Sequence, residues 1–186
     1  AVPAKLERIR EILEEAREAG RKVLIFSFFL QVLRTLADDL SRRGADVIGI
    51  VDGSVPPTRR QDMIDELTEA EGTCVLLAQI TAGGTGLNIQ SASVVILVEP
   101  QVKPSVEAQA IARVHRMGQT STVLVHRLVA DDTADERLLD TLGQKRQIFD
   151  AYARESEAAQ VHDAVDVSEH EIAARIIAEE KARLGF

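Results

Sequence analysis

Two arginines, Arg113 and Arg116, stand three residues apart in a segment that favours a helix. Residues 109–119 read QAIARVHRMGQ, and positions i and i+3 of a helix lie on the same face. Both guanidinium groups can therefore approach one ligand, and two planar, permanently charged forks suit the phosphates of a nucleotide. By itself the pair favours the solvated basic face of an ordinary helix, so a second feature is needed to decide.

A glycine-rich turn precedes this helix in the sequence. Residues 81–88 read TAGGTGLN and follow the apolar run Cys74–Ala78, which is typical of a buried strand. Glycines let the backbone bend tightly and come close to a phosphate or to another chain. A tight turn that serves only the fold is the alternative.

Together the two segments resemble one protein family. Ala82–Asn88 is similar to motif V, and Gln109–Gln119 is similar to motif VI with its His-Arg-x-Gly-Gln ending, in the second motor lobe of Swi/Snf-type helicase-like ATPases of superfamily two. The two segments occur in the family's order, separated by the apolar run Val94–Val98. The resemblance covers roughly residues 1–150 and implies a RecA-like lobe of an ATPase.

The resemblance places the motif VI helix and the glycine-rich turn near a nucleotide. It implies that Arg113 and Arg116 are arginine fingers, which reach ATP held by the first lobe and stabilise charge on its γ-phosphate. It also implies that Gln109 lies close to the nucleotide, together with Gly84 and Gly86 of the glycine-rich turn.

Further stretches resemble the parts of the family that face nucleic acid. Lys22–Ser27 is similar to motif IV, with Phe28 where a glutamine often stands, and residues 52–54, which read DGS before nearby arginines, are similar to motif IVa. A turn with free N–H groups, a hydroxyl and arginines nearby can hold a phosphate. The residues expected to contact duplex DNA are Ser27, Gly53, Ser54, Arg59, Gly83, Thr85 and Asn88.

These stretches also have purely structural interpretations, which stay open. Ser27 belongs to an apolar run that reads as a core strand, and Ser54 or Thr58 is a candidate cap for the helix that follows. The sequence also departs from the family before the glycine-rich turn, where many members have Ser-Thr and a basic residue. A hydroxyl is lost at Ile80 and a positive charge at Thr81, so DNA contacts are not assigned to these two positions.

Composition argues against several classes of function. The formal net charge of −8 and an aromatic content of 3% without tryptophan are unlike a dedicated DNA-binding module or a base-stacking platform. There is no apolar run of a length that spans a membrane. The single cysteine, Cys74, is expected to be buried and unreactive in an intracellular setting, the cytoplasm or nucleoid if the source is bacterial.

Helical periodicity alternates with short apolar runs along most of the chain. Helices are predicted at Lys5–Ala19, at Phe29–Arg43, up to about Leu67, and at Ser105–Arg116 with Ser105 as N-cap. Strands are predicted at Lys22–Ser27, Val47–Val51, Thr73–Ala78, Val94–Val98 and Ser121–Leu128. This alternation predicts an α/β fold, a RecA-like parallel sheet with helices on both faces and functional residues at the carboxyl ends of the strands.

Two parts are expected along the chain, a helicase C-terminal lobe over residues 1–151 and an acidic linker with a C-terminal helix over 152–186. The last helix is predicted at Ser168–Leu184, where Ser168 and Glu171 form a capping box. Its modest apolar stripe would brace the first lobe of the motor or pack on its own lobe.

The sequence contains no nucleotide cradle. The pattern Gly-x4-Gly-Lys-Ser/Thr does not occur, and no acidic magnesium motif follows a strand. We therefore expect part of a longer protein that is inactive alone and works with the N-terminal RecA-like lobe of the same protein, which mainly holds ATP and Mg²⁺. The expected activity is ATP-driven translocation on duplex DNA that remodels protein–DNA complexes in chromatin or a nucleoid. The alternatives are an RNA helicase lobe, which the His-Arg-Met-Gly-Gln ending disfavours, and a non-catalytic protein-docking module.

Overall fold

The computed structural model of the chain describes residues 4–82, 89–101, 104–114 and 122–130. Helices and strands alternate along these residues, in the order α1 (Ala4–Glu18), β1 (Val23–Ser27), α2 (Leu30–Arg42), β2 (Val47–Val51), α3 (Pro57–Glu69), β3 (Val75–Gln79), β4 (Val94–Leu97), α4 (Pro104–Val114) and β5 (Leu124–Arg127). The predicted alternation is confirmed, and the bounds of the first helices differ from the predicted ones by one or two residues.

The strands form one parallel sheet in the order β2-β3-β1-β4-β5. In the central strand, Val23 pairs with Val75 on one side and with Val94 on the other. Strand β1 therefore lies in the middle, and strands distant in sequence become its neighbours. The predicted α/β class with a parallel sheet is confirmed.

The core lies in two layers, one on each face of the sheet. Leu24 and Phe26 of β1 pack with buried residues of α3 and α4, whereas Val23 and Ile25 pack with buried residues of α1 and α2. Both faces of β1 are thus covered, which explains why its residues are continuously apolar and not alternating. Each fully buried Leu, Ile or Phe side chain stabilises the fold by about 1.5–3 kcal/mol relative to an exposed one.

Strand β2 is irregular and only half buried along most of its length. Its register against β3 shifts between Val47 and Gly49, so that Ile48 is an extra residue on the β2 side. Gly49 has a φ of +152°, and a Cβ atom placed there would lie 2.7 Å from Cε of Met63 in α3. The bulge therefore brings the strand close to a buried side chain of α3, at a position where glycine has no Cβ to clash.

The chain divides into two units, Ala1–Leu128 and Val129–Phe186, and every helix and strand named above belongs to the first. The boundary predicted at residue 151 and the helix predicted at Ser168–Leu184 lie outside the described residues. None of the helices in the described ranges is long and apolar enough to cross a membrane.

Candidate functional site

The carboxyl ends of the strands meet at one edge of the sheet, because all the pairings are parallel. This edge, which we call the carboxyl edge, consists of residues 27–29 after β1, 52–55 after β2, 79–82 after β3 and 98–101 after β4. It thus brings together the stretches that resemble motifs IV and IVa and the residues that lead to the glycine-rich turn. The structure places these stretches at one edge, and their function there stays a prediction.

The turn after β2 is held by its own side chains. Oδ1 of Asp52 accepts hydrogen bonds from the backbone N–H of Ser54 at 2.7 Å and from its hydroxyl at 2.6 Å. These bonds, the hydroxyl first, hold the pKa of Asp52 below its usual value. Helix α3 has Pro56 at its N-cap and no side-chain cap. The prediction that Ser54 or Thr58 caps this helix is therefore wrong, since the Ser54 hydroxyl closes the turn instead.

The two arginines that follow this turn have different roles. Arg60 donates to the carbonyl oxygens of Val55 at 2.7 Å, Asp52 at 3.1 Å and Gly53 at 3.3 Å. Arg59 forms an ion pair of 2.8 Å with Glu66, in which both side chains are about half exposed. Such surface pairs contribute little to stability, so Arg59 can exchange this partner for a phosphate at small cost.

Gly53 and Ser54 are exposed at the carboxyl edge, and Arg59 is exposed in the first turn of α3, which follows it. Arg60 was not among the predicted site residues. The sequence shows that Arg60 is close to residues 52–54. It does not show the contacts with three carbonyl groups, because these depend on the shape of the turn.

Ser27 lies at the carboxyl edge, but its side chain points into the protein. The residue is fully buried, and its hydroxyl lies 2.9 and 3.1 Å from the two carboxylate oxygens of Glu99. Contact between this hydroxyl and nucleic acid stays a prediction, and it would require the pair with Glu99 to open.

Helix α4 carries the part of motif VI that the structure describes. Ala110 and Val114 are buried, and Val106 and Ile111 pack against the same core, as predicted. Gln109 is exposed, and Arg113 follows it by one helical turn. The helix begins at Pro104, so the prediction of Ser105 as N-cap is wrong. Proline suits the first helical position because it needs no N–H partner there.

Several predicted site residues lie outside the described residues. They are Gly83, Gly84, Thr85, Gly86, Asn88 and Arg116. In the described ranges, no three His, Cys, Asp or Glu side chains cluster closely enough to hold a metal ion.

Comparison with known families shows which family of proteins contains this sheet and its carboxyl edge. Residues 4–118 match the family described as helicase conserved C-terminal domain. The chain belongs to this helicase C-terminal family. The match includes the carboxyl edge, the glycine-rich stretch at 81–88 and the stretch with Arg113 and Arg116, so the motifs discussed above lie within the region that defines the family.

Similar proteins place the lobe among Swi/Snf-type ATP-dependent helicases. An uncharacterised ATP-dependent helicase of Mycoplasma pneumoniae is 37% identical over 145 residues, which cover 78% of this chain and 14% of that protein. DNA repair protein RAD5B of Arabidopsis thaliana is 34% identical over 148 residues, covering 78% and 12%. A third relative, from Xenopus tropicalis, is 35% identical over 147 residues, which cover 78% of this chain and 16% of that protein. It is described as SWI/SNF-related matrix-associated actin-dependent regulator of chromatin subfamily A-like protein 1.

A solved structure shows the same fold. The crystal structure of the C-terminal part of the Fun30 ATPase domain aligns with a TM-score of 0.72 and 27% identity, covering 97% of this chain and 54% of that one. The resemblance to a Swi/Snf-type second lobe, based on two short motifs, is thereby confirmed. The helicase C-terminal lobe spans only a small part of the length of the sequence relatives described above.

Proposed function

We propose that this helicase C-terminal lobe is the second motor lobe of a DNA-dependent ATPase that translocates on duplex DNA and remodels protein–DNA complexes. The observation that carries the proposal is the family match over residues 4–118, together with a parallel sheet that gathers the predicted DNA-facing stretches at one edge. The relatives named for DNA repair and for chromatin regulation support this class of substrate.

The proposed role of α4 is to complete an ATP site on a separate lobe. In this mechanism Arg113 and Arg116 meet the γ-phosphate when the two lobes close, and Gln109 lies near the nucleotide with Gly84 and Gly86. Arginine fingers typically contribute a factor of about 10³–10⁵ to the rate of phosphoryl transfer, because they neutralise charge that develops in the transition state.

The proposed DNA track follows the carboxyl edge. Gly53 and Ser54 would offer their exposed turn to a phosphate, and Arg59 would leave Glu66 for the DNA backbone. Gly83, Thr85 and Asn88 of the glycine-rich turn would join this track, with Ser27 if its hydroxyl turns outward. Phosphate contacts of this kind position a duplex without reading its sequence, which suits a translocase.

ATP and Mg²⁺ would be held mainly by the N-terminal lobe of the same protein. The basis is the absence of a phosphate-binding Gly-x4-Gly-Lys-Ser/Thr pattern from this chain. When bound there, Mg²⁺ would neutralise charge on the phosphates. An intracellular location, the cytoplasm or nucleoid if the source is bacterial, is part of the same proposal.

The test measures ATP hydrolysis by this chain alone, with duplex DNA, and after addition of a separately produced N-terminal lobe. We expect DNA-stimulated hydrolysis only when both lobes are present. In the intact protein, R113A and R116A should each lower DNA-stimulated kcat by about 10³-fold or more. R42A, which removes an exposed arginine of α2, is the matched control and should leave kcat unchanged.

Each contrary result identifies a different error. Hydrolysis by this chain alone would mean that it contains a nucleotide cradle that the sequence does not reveal. Stimulation by RNA and not by duplex DNA would favour the RNA helicase alternative. An intact protein with no nucleotide-dependent activity would favour the docking module, and unchanged kcat in R113A and R116A would refute the arginine fingers.

A further inference from the structure

Glu99 binds the turn between β1 and α2 from across the sheet. Its carboxylate accepts hydrogen bonds from the Ser27 hydroxyl, at 2.9 and 3.1 Å, and from the backbone N–H of Phe28. The Ser27 oxygen in turn accepts the N–H of Phe29 at 3.1 Å. One carboxylate thus holds a hydroxyl and a backbone N–H directly, and the N–H of Phe29 through the Ser27 hydroxyl.

This contact places a negative charge just before α2, which has no side-chain cap. Phe29 is the N-cap residue of α2 and provides no side-chain hydrogen bond. A negative charge near a helix N-terminus is favourable because the first N–H groups are unpaired and point towards it. Glu99 supplies that charge from the segment after β4, so the start of α2 depends on a residue from another part of the sheet.

Two glutamines extend this contact to neighbouring segments. Nε2 of Gln79, at the end of β3, donates to the carbonyl oxygen of Phe28 at 3.0 Å. Nε2 of Gln101 donates to the carbonyl oxygen of Glu99 at 2.9 Å, and Gln101 is itself 6% exposed. Gln101 stands three residues before Pro104, the first residue of α4.

The ends of β1 and β3 are therefore joined through the backbone of Phe28 and the carboxylate of Glu99, which stands five residues before α4 in the sequence. Polar networks of this kind rigidify their surroundings when every member has a partner. The exposed side chains of Phe28 and Phe29, whose ring centroids lie 5.3 Å apart, are carried by the same turn.

We propose that Glu99 is a positioning residue that couples the turn after β1, on the carboxyl edge, to the segment that places α4. DNA bound at the edge would shift this turn, and Glu99 would pass the shift to the helix that carries Arg113. The coupling of DNA to ATP hydrolysis rests on the proposed function, whereas the mechanical coupling between the two segments does not.

The mechanical coupling is tested on the 186-residue chain by amide hydrogen exchange. In E99Q we expect exchange to accelerate about tenfold or more, both at Phe28–Leu33 and at residues 108–111 of α4, because hydrogen bonds to a charged carboxylate are replaced by weaker bonds to a neutral amide. S27A should produce a smaller change at the same two places. If E99Q does not fold, S27A serves as the test of the mechanical coupling. Acceleration confined to the turn after β1 would overturn the coupling.

D39N is the matched control for loss of a carboxylate. Asp39 is 15% exposed and pairs with Arg10 at 2.7 Å, so it is also a partly buried acid with a bonded partner, but it connects α1 with α2 away from the carboxyl edge. We expect D39N to leave exchange at Phe28 and in α4 unchanged. An equal effect of D39N and E99Q would show general loosening of the lobe and would overturn the proposal.

The functional consequence is tested in the intact protein by measuring kcat and KM for ATP with and without duplex DNA. E99Q should lower the ratio of kcat with DNA to kcat without DNA by about tenfold, a typical size for coupling between two sites, while KM for ATP is unchanged. D39N should leave the ratio unchanged. An unchanged ratio in E99Q would overturn the coupling to DNA. A wild-type protein without DNA stimulation would instead refute the proposed function, and hydrogen exchange would then decide the mechanical coupling alone.

Discussion

Replacement of Gly49 by alanine should destabilise the lobe through two separate effects. The φ of +152° is rarely adopted by residues with a side chain, and such strained conformations typically cost about 1–3 kcal/mol. The added Cβ would also lie 2.7 Å from Cε of Met63, which is 4% exposed and has little free space. Overpacking typically costs about 1–3 kcal/mol, and the flexible end of methionine favours the lower value. We expect a total loss of about 2–4 kcal/mol in the free energy of unfolding.

Two other glycines separate these effects when all variants are compared by urea denaturation followed by circular dichroism. Gly72 has a φ of +82° and open space around a hypothetical Cβ, so G72A should show only the backbone effect, about 1 kcal/mol. Gly53 has open space and no left-handed φ, so G53A should change stability by less than about 0.5 kcal/mol. The expected order of destabilisation is G49A, then G72A, then G53A.

The clash itself is tested by combining G49A with M63A. M63A alone should cost about 2–5 kcal/mol because it leaves a cavity in the core. In the double variant the methyl group added at position 49 occupies part of that cavity, so the total should be smaller than the sum of the two single effects by about 1–2 kcal/mol. Additive effects would refute a contact between position 49 and Met63. G49A no more destabilising than G72A would refute the steric effect altogether.

Three further predictions concern the turn, pH and the cysteine. R60K should speed amide exchange in the turn after β2, because lysine lacks the planar guanidinium that reaches several carbonyl oxygens. R59K is the control, since it alters only a half-exposed ion pair. Equal effects of R60K and R59K would contradict the role of Arg60 in holding the turn. Burial, with the charge of Arg8 second, lowers the pKa of His126, so the folded state binds fewer protons and stability falls as pH drops below about 6.5. H126Q should reduce the difference between urea midpoints measured at about pH 7.5 and about pH 5.5, and an unchanged difference would exclude His126 as its source. Burial raises the pKa of the Cys74 thiol, so thiol reagents should label the chain only after unfolding, and rapid labelling of the native chain would contradict the structure.

The fold could be predicted because its main signals are local. Short apolar runs such as Val47–Val51 alternate with amphipathic helices, and parallel strands buried on both faces read as continuous apolar segments. The bulge at Gly49 was not predicted, since it depends on the pairing of β2 with β3 and on Met63 behind it. Strand β5, Leu124–Arg127, is shorter than the predicted Ser121–Leu128, because periodicity does not show where pairing ends.

The candidate site could be predicted only where residues adjacent in sequence form it. The turn at Asp52 and Ser54 is local, and its place at the carboxyl edge follows from the parallel sheet. The contact between Glu99 and Ser27 joins residues 72 positions apart, so no spacing within either stretch indicates it. For the same reason the sequence suggested an outward role for Ser27, whereas the structure directs its hydroxyl to the carboxylate of Glu99.

The irregularity of β2 has a consequence for solubility. In the described sheet β2 is the outermost strand on its side, and its residues are almost entirely apolar. A regular, flat edge of this composition presents unpaired N–H and C=O groups to which a strand from another molecule can add. The bulge interrupts the spacing of those groups and twists the strand, which makes such an addition unfavourable. We therefore expect Gly49 to oppose edge-to-edge addition of strands, and variants that straighten β2 to associate at high concentration.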